Sequence, residues 1–185
     1  MSKLVTVVLI IFVAILAGLG FLYSGLYPIG ADDEHMAPTN WALTTLREQS
    51  IERASRDIDV PDLSGPALLL TGGPDYNDMC ASCHLKPGIT FTDLSIGLYP
   101  APPALTSTLG EHGHEHSSNL SPEQAARRSY WIIKHGIKAS GMPAWGPTHS
   151  DERIWAMVAF IQKLPELDAT QYQILTTRTG DEGDH

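Results

Sequence analysis

The sequence predicts an all-α protein in two parts, a single apolar helix at the amino end and a helical domain behind it. Three observations carry this. Leu4–Ala31 holds 28 residues without a charge, and about 20 apolar residues suffice to cross a bilayer as a helix. Two later stretches, Ser121-Pro122-Glu123-Gln124 and Ser150-Asp151-Glu152, open with helix-start chemistry and continue with apolar residues at helical spacing. The two cysteines, Cys80 and Cys83, lie where no βαβ pattern surrounds them.

Length and charge bound the rest. A chain of 185 residues has room for one ordinary domain plus extensions. A net charge of −9 argues against nucleic acid as a partner.

Residues 1–31 are expected to form a transmembrane anchor. Lys3 precedes the apolar run, while Asp32, Asp33 and Glu34 follow it. That asymmetry favours a cytoplasmic amino terminus with the remainder outside. Tyr23 and Tyr27 stand where an interfacial aromatic belt would be. A cleaved signal peptide is the competing reading. The run is longer than a usual apolar core of such a peptide, and Gly18-Leu19-Gly20 is a poor cleavage site. No cysteine follows the run closely enough for lipoprotein anchoring.

Residues 32–65 read as a spacer. Thr39 can cap a helix over about Asn40–Arg56, with Trp41, Leu46, Ile51 and Ala54 as its sparse apolar positions and Glu48 and Glu52 pairing with Arg53 and Arg56 along it. Such a helix docks on the domain or on a partner, or stands as a solvated stalk; the sequence leaves both open. Asp59-Val60-Pro61-Asp62-Leu63-Ser64-Gly65-Pro66 then breaks the helix.

The main domain is expected over 66–167. Gly72-Gly73 should interrupt a helix and Pro74 should start one, running into Cys83. Cys80-Ala81-Ser82-Cys83-His84 is then the central motif. It reads C-x-x-C-H, the attachment signature of haem c. Two thiols one helical turn apart can add to the two vinyl groups of one haem, and the next imidazole lies under the iron as proximal ligand. A zinc site would need a second C-x-x-C, which a chain with two cysteines lacks. After His84 comes an irregular stretch with a short helix near Asp93–Gly97. Tyr99-Pro100-Ala101-Pro102-Pro103 presents carbonyls without competing donors. The carbonyl of Pro102 or Pro103 is placed to accept the Nδ1 proton of His84 and set its tautomer.

Gly110–Ser118 packs His112, His114 and His116 among acids. The plain reading is a polar loop; the sharper one is a second site for a divalent transition metal. Ser121, Pro122 and Gln124 open a helix expected to end at His135 before Gly136. A loop with Gly141-Met142-Pro143 follows. The last helix opens at Ser150 and ends before Pro165, with Ile154, Trp155, Met157, Val158, Phe160 and Ile161 nearly encircling it. Residues 168–185 read as a frayed acidic tail.

A six-coordinate iron needs a ligand opposite His84. Met79 adjoins Cys80, and Met157 belongs to a core helix. Met142 lies on a loop far enough from His84 for the chain to wrap a haem edge. His135 and His149 remain its rivals.

With these residues placed, the chain resembles class I cytochrome c. The similarity spans Pro66 to Leu167, about half the chain, and rests on Tyr76-x-x-x-Cys80-x-x-Cys83-His84, on Gly141-Met142-Pro143-Ala144-Trp145, and on a closing helix with Trp155 and Phe160. Trp131–Lys138 looks like membrane-anchored or periplasmic bacterial monohaem members. The resemblance implies a cytochrome c fold of three to five helices around one covalent haem, with Gly72 or Gly73 and Tyr76 meeting the last helix near Trp155 and Ala159. Leu85 departs from the pattern, standing where glycine often follows the haem histidine, and the histidine-rich insert lies outside it. The expected function is electron transfer, not catalysis, by a monohaem cytochrome tethered to the bacterial inner membrane with its haem domain in the periplasm. Cys80 and Cys83 hold the haem, and His84 and Met142 bind its iron. Redox proteins are the expected donor and acceptor. The alternatives are a fixed haem relay within a larger redox complex and a ligand-binding sensor or enzyme.

Overall fold

The computed structural model describes residues 2–107 and 120–178, and among them every regular element is helical. In chain order these are α1 (Lys3–Tyr23), α2 (Ala37–Ser55), α3 (Pro66–Met79), α4 (Ala81–His84), α5 (Asp93–Gly97), α6 (Pro122–His135), α7 (Asp151–Lys163) and α8 (Ala169–Thr176). A 3₁₀ turn, Leu164–Glu166, joins α7 to α8.

α1 is long and apolar enough to cross a membrane, with a mean hydropathy of 3.0 in its most apolar window and none of that window buried against the rest of the chain. An aliphatic helix left fully bare in water would be untenable, so the bilayer is its partner.

α7 is the axis of the packed part. One side carries Phe160, which with Leu164 meets Tyr76 of α3 and Tyr172 of α8. The other carries Ile154, Met157 and Val158 against Ala126, Tyr130 and Ile133 of α6. This is the encircled, buried helix that its residue pattern predicts.

α3 differs from expectation. The helix starts at Pro66 and continues through Gly72-Gly73-Pro74 to Met79. Pro66, not Pro74, occupies the first turn, where a missing N–H costs nothing. The two glycines serve contact rather than interruption. A Cβ on Gly72 would stand 2.1 Å from the carbonyl oxygen of Ala156, and one on Gly73 2.3 Å from that of Leu175. Backbone therefore meets backbone where α3 crosses α7 and α8. Glycine weakens a helix interior by about 1 kcal/mol and proline by about 3 kcal/mol, and the close packing at this crossing offsets that weakness. Asp75, in the same turn, is buried and receives Nε of Arg153 at 2.5 Å and Nη2 at 2.7 Å. This two-pronged pair ties the first turn of α7 to α3.

α2 also differs from expectation. It starts at Ala37 with Pro38 in its first turn, so Thr39 lies inside the helix instead of capping it. Its second half docks on α6: Ile51 and Ser55 are buried, while Trp41 and Leu46 stay exposed. Glu48 pairs with Arg47 and, across to α6, with Arg128, rather than with basic residues further along α2. Burial works against the Glu48 charge, but these two guanidinium groups hold its carboxyl below the ordinary value. Beyond α2, Ile58, Val60 and Leu63 pack on the Ile154 cluster, so contact with the core begins before Pro66.

The carboxyl end corrects a third expectation. Residues 169–176 form a capped helix, with Asp168 and Gln171 exchanging both capping-box bonds. Tyr172 is buried and donates its hydroxyl proton to Asn77 at 3.1 Å. The acidic residues that suggested fraying lie beyond Arg178, outside the described residues.

Gly72→Ala tests the crossing. The substitution improves helix propensity, yet the new methyl must force two backbones apart. Denaturant unfolding should show a net loss of about 1–3 kcal/mol. Gly97→Ala, where a Cβ meets nothing within 4 Å, should stay within about 0.5 kcal/mol of wild type.

Candidate haem centre

The attachment motif grows directly out of the α3–α7 crossing. α3 ends at Met79, and Cys80 donates its N–H to the Tyr76 carbonyl at 2.9 Å. One further turn follows, with Cys83 N–H and His84 N–H both donating to the Cys80 carbonyl, at 3.0 and 2.8 Å. A separation of three residues on a helical turn puts both sulfurs on one face. Cys80 is buried and Cys83 half-buried. Burial, with Asp75 and Cys83 adding to it, pushes the Cys80 thiol up to about 12.

The chain must turn sharply after His84, and Leu85 does so at φ 70°, in the left-handed region. That explains why glycine suits this position and why leucine there needs support. The support is Tyr76. Its fully buried hydroxyl donates to the Leu85 carbonyl at 2.7 Å and lies 3.3 Å from that of His84. The Leu85 side chain is itself buried. Burial also raises the Tyr76 phenol far above its ordinary value, so it remains a donor at any physiological pH.

His84 Nδ1 lies 2.8 Å from the Pro103 carbonyl, one of the two acceptors expected from the proline run. A carbonyl can only accept, so the proton sits on Nδ1 and the lone pair on Nε2. Burial lowers the His84 pKa, against a smaller upward pull from the Pro103 bond, which keeps the ring neutral. A neutral imidazole with one nitrogen tied to a carbonyl is the usual form of a metal-binding histidine.

Met142 comes from the loop between α6 and α7, which is pinned at both ends. Gly136 closes α6 at φ 64°, and a Cβ there would meet Ala144 N at 2.7 Å. Trp145 and Gly146 N–H groups return to the carbonyls of Ile133 and Lys134 at 3.0 and 2.9 Å. Within the loop, Ser140 Oγ accepts the Met142 N–H at 3.1 Å while donating to the Ile137 carbonyl at 2.8 Å. At Gly141 a Cβ would stand 2.7 Å from Leu98, which brings the loop against the stretch before the prolines.

Cys80, Cys83, His84 and Met142 all line one cavity, in which the centres of water molecules would range over about 280 Å³. Leu98, Leu105, Ile132 and Ile133 make much of its wall apolar. The lining fits a haem: two thiols on one turn for its vinyl groups, an imidazole with a free nitrogen, a thioether, and aliphatic walls for the macrocycle. His135 and His149 are not among the lining residues; the first packs at a tilt against Trp131 at 5.0 Å and the second meets Trp145 edge-on at 5.5 Å. Met157 is in the core. His112, His114 and His116 lie outside the described residues. Two contributors were missed in the sequence. α2 supplies Arg47, Glu48 and Ile51 to the wall, and Tyr76 braces the motif from nine residues before Leu85. The buried stripe position of Ile51 was the available signal for α2.

A family model described as cytochrome C oxidase, cbb3-type, subunit III matches residues 67–161. The chain belongs to that family. No curated protein and no solved structure matches it. It is therefore a membrane-anchored c-type cytochrome, with one haem c on the Cys80-Cys83-His84 motif and, among the described residues, one membrane-spanning helix ahead of a periplasmic remainder. Its role is that of an electron relay rather than of the catalytic subunit. A family of oxidase subunits favours the fixed relay over the freely exchanging carrier that the sequence alone put first.

Tyr76→Phe removes one donor from two buried carbonyls. Unfolding of the holoprotein should show a loss of about 1–2 kcal/mol, with the haem still covalently attached in acid–acetone extraction. Unchanged stability would mean that Leu85 holds its turn without the clamp.

Proposed function

We propose that this subunit relays single electrons through one haem c held between His84 and Met142, inside an oxidase-like membrane complex. The observation that carries the ligand assignment is the position of Met142 on the cavity wall. Met79 also lines that cavity, but it precedes Cys80 directly and packs into both core clusters. The haem, when bound, supplies a one-electron couple; the chain supplies ligands, an apolar shell and protection from water. A thioether opposite an imidazole favours ferrous iron and raises the potential. His84 and Met142 together would hold the iron and leave it no position for substrate, which separates a relay from a sensor or enzyme. The donor and acceptor are redox groups of neighbouring proteins, one of them in the same complex. The half-docked α2 supports a fixed role, since its Trp41 and Leu46 remain exposed and available to a neighbouring subunit.

Met142→Ala should abolish the weak far-red sulfur-to-iron band of the oxidised protein, lower the potential, and allow the reduced protein to bind carbon monoxide. A variant indistinguishable from wild type would move the ligand to His135 or His149. The relay assignment is tested separately. After mild solubilisation the haem should migrate with larger membrane subunits, and migration as a lone 20.1 kDa chain would restore the free carrier.

A further inference from the structure

The end of the membrane helix is tied to the haem domain by a ladder of aromatic rings. Phe21, in the last turn of α1, meets Tyr27 edge-on at 6.4 Å. The Tyr27 ring lies 5.9 Å from that of His35, and its hydroxyl is 2.9 Å from His35 Nδ1. His35 in turn packs edge-on against Tyr99 at 5.0 Å, and its backbone N–H donates to the Tyr99 hydroxyl at 3.2 Å. Three short steps therefore lead from a residue inside a membrane helix to the stretch that follows α5. The headgroup layer on each side of the hydrocarbon core is about 5–7 Å thick, comparable to one such step, so Tyr99 stands within a few ring contacts of it.

Next to Tyr99 the chain leaves apolar side chains uncovered. Phe91, Leu94 and Ile96 are 64, 50 and 69% exposed, and Leu26 and Ile29, between Phe21 and His35, are 77 and 89% exposed. α5 is fastened beside the haem motif, with Thr92 capping it and donating its hydroxyl to the Ser82 carbonyl. Large side chains at this density, on a segment held at the exit of a membrane helix, have the lipid surface as their nearest apolar phase.

We infer that the Phe91–Tyr99 edge of the haem domain rests on the outer face of the bilayer, with Phe91 and Ile96 inserted among the lipids. This goes beyond the relay reading and rests only on α1 being a membrane helix. Asp93 lies within the edge, and Asp32, Asp33 and Glu34 directly precede His35, so anionic headgroups are not what it attracts; burial of apolar area holds it there. The edge lies beside the Cys80–His84 turn, to which the Thr92–Ser82 bond fastens it.

Photocrosslinking in native membranes tests this, with a benzophenone amino acid placed at Phe91, at Ile96, or at Ile174. Ile174 is an equally bare apolar residue on α8, at 66% exposure, without a link to the ladder. The haem spectrum of each variant reports that it has folded. Positions 91 and 96 should give lipid adducts at least tenfold above position 174. That yield should persist at about 1 M salt, where the screening length is near 3 Å, and should fall with Tyr99→Ala. Adducts to another polypeptide in place of lipid would overturn the inference, as would equal lipid labelling at 174, no adduct at 91 and 96, or a yield lost in salt.

Discussion

The contact of Gly72 with the backbone of Ala156 is the constraint from which the haem centre follows. Two helices can approach this closely only where one lacks a side chain, and at Gly72 and Gly73 two successive residues of α3 do. With that approach made, the next turn of α3 is committed. Asp75 reaches Arg153 and Tyr76 points into the Phe160–Tyr172 cluster. Four residues later the first thiol appears. Its position relative to α7 is thus inherited from a crossing that involves no haem ligand.

Tyr76 converts this packing into ligand geometry. Its ring is part of the core, while its hydroxyl grips the carbonyl of a residue with positive φ. A leucine held at φ 70° and ψ 173° is less favourable by about 1–3 kcal/mol, and burying its side chain contributes about 1.5–3 kcal/mol in the other direction. The two are of similar size, so the hydrogen bond from Tyr76 decides that the turn is held. The returning chain meets His84 just before this turn: Leu105 N–H donates to the His84 carbonyl at 3.1 Å, and the Pro103 carbonyl sets the tautomer of the ring.

Much of this was legible in the sequence, and most of the failures share one cause. Ser121, Gln124 and Ser150 cap their helices by local chemistry, and α6 and α7 appear where local chemistry puts them. The short α5 and the proline carbonyl facing His84 follow equally from nearby residues. α3 does not. Gly72-Gly73-Pro74 is locally a helix breaker, and only the distant backbone of Ala156 and Leu175 turns it into a packing surface. α8 is the exception to that cause: its Asp168–Gln171 capping box is local chemistry that the acidic tail beyond it obscured, although Asn77 and Phe160 hold its Tyr172. The half-docked α2 was undecidable for the same reason as α3, since Glu48 finds Arg128 eighty positions further on. The role of Leu85 was visible as a departure from pattern, but its support by Tyr76 was not.

The 98–103 stretch joins two requirements that are otherwise independent. At one end Tyr99 receives the His35 N–H and so meets the chain leaving the membrane; at the other Pro103 accepts from His84. Leu98 meanwhile limits the approach of the Met142 loop at Gly141. Its prolines cannot donate hydrogen bonds and restrict φ, so the segment resists collapse and holds its two ends at a set separation. A relay needs both its ligand field and its placement relative to its neighbours held constant, because electrons pass by proximity rather than by bonding. Here one short, proline-rich segment serves both: Tyr99 meets the chain leaving the anchor, and four residues on Pro103 orients His84.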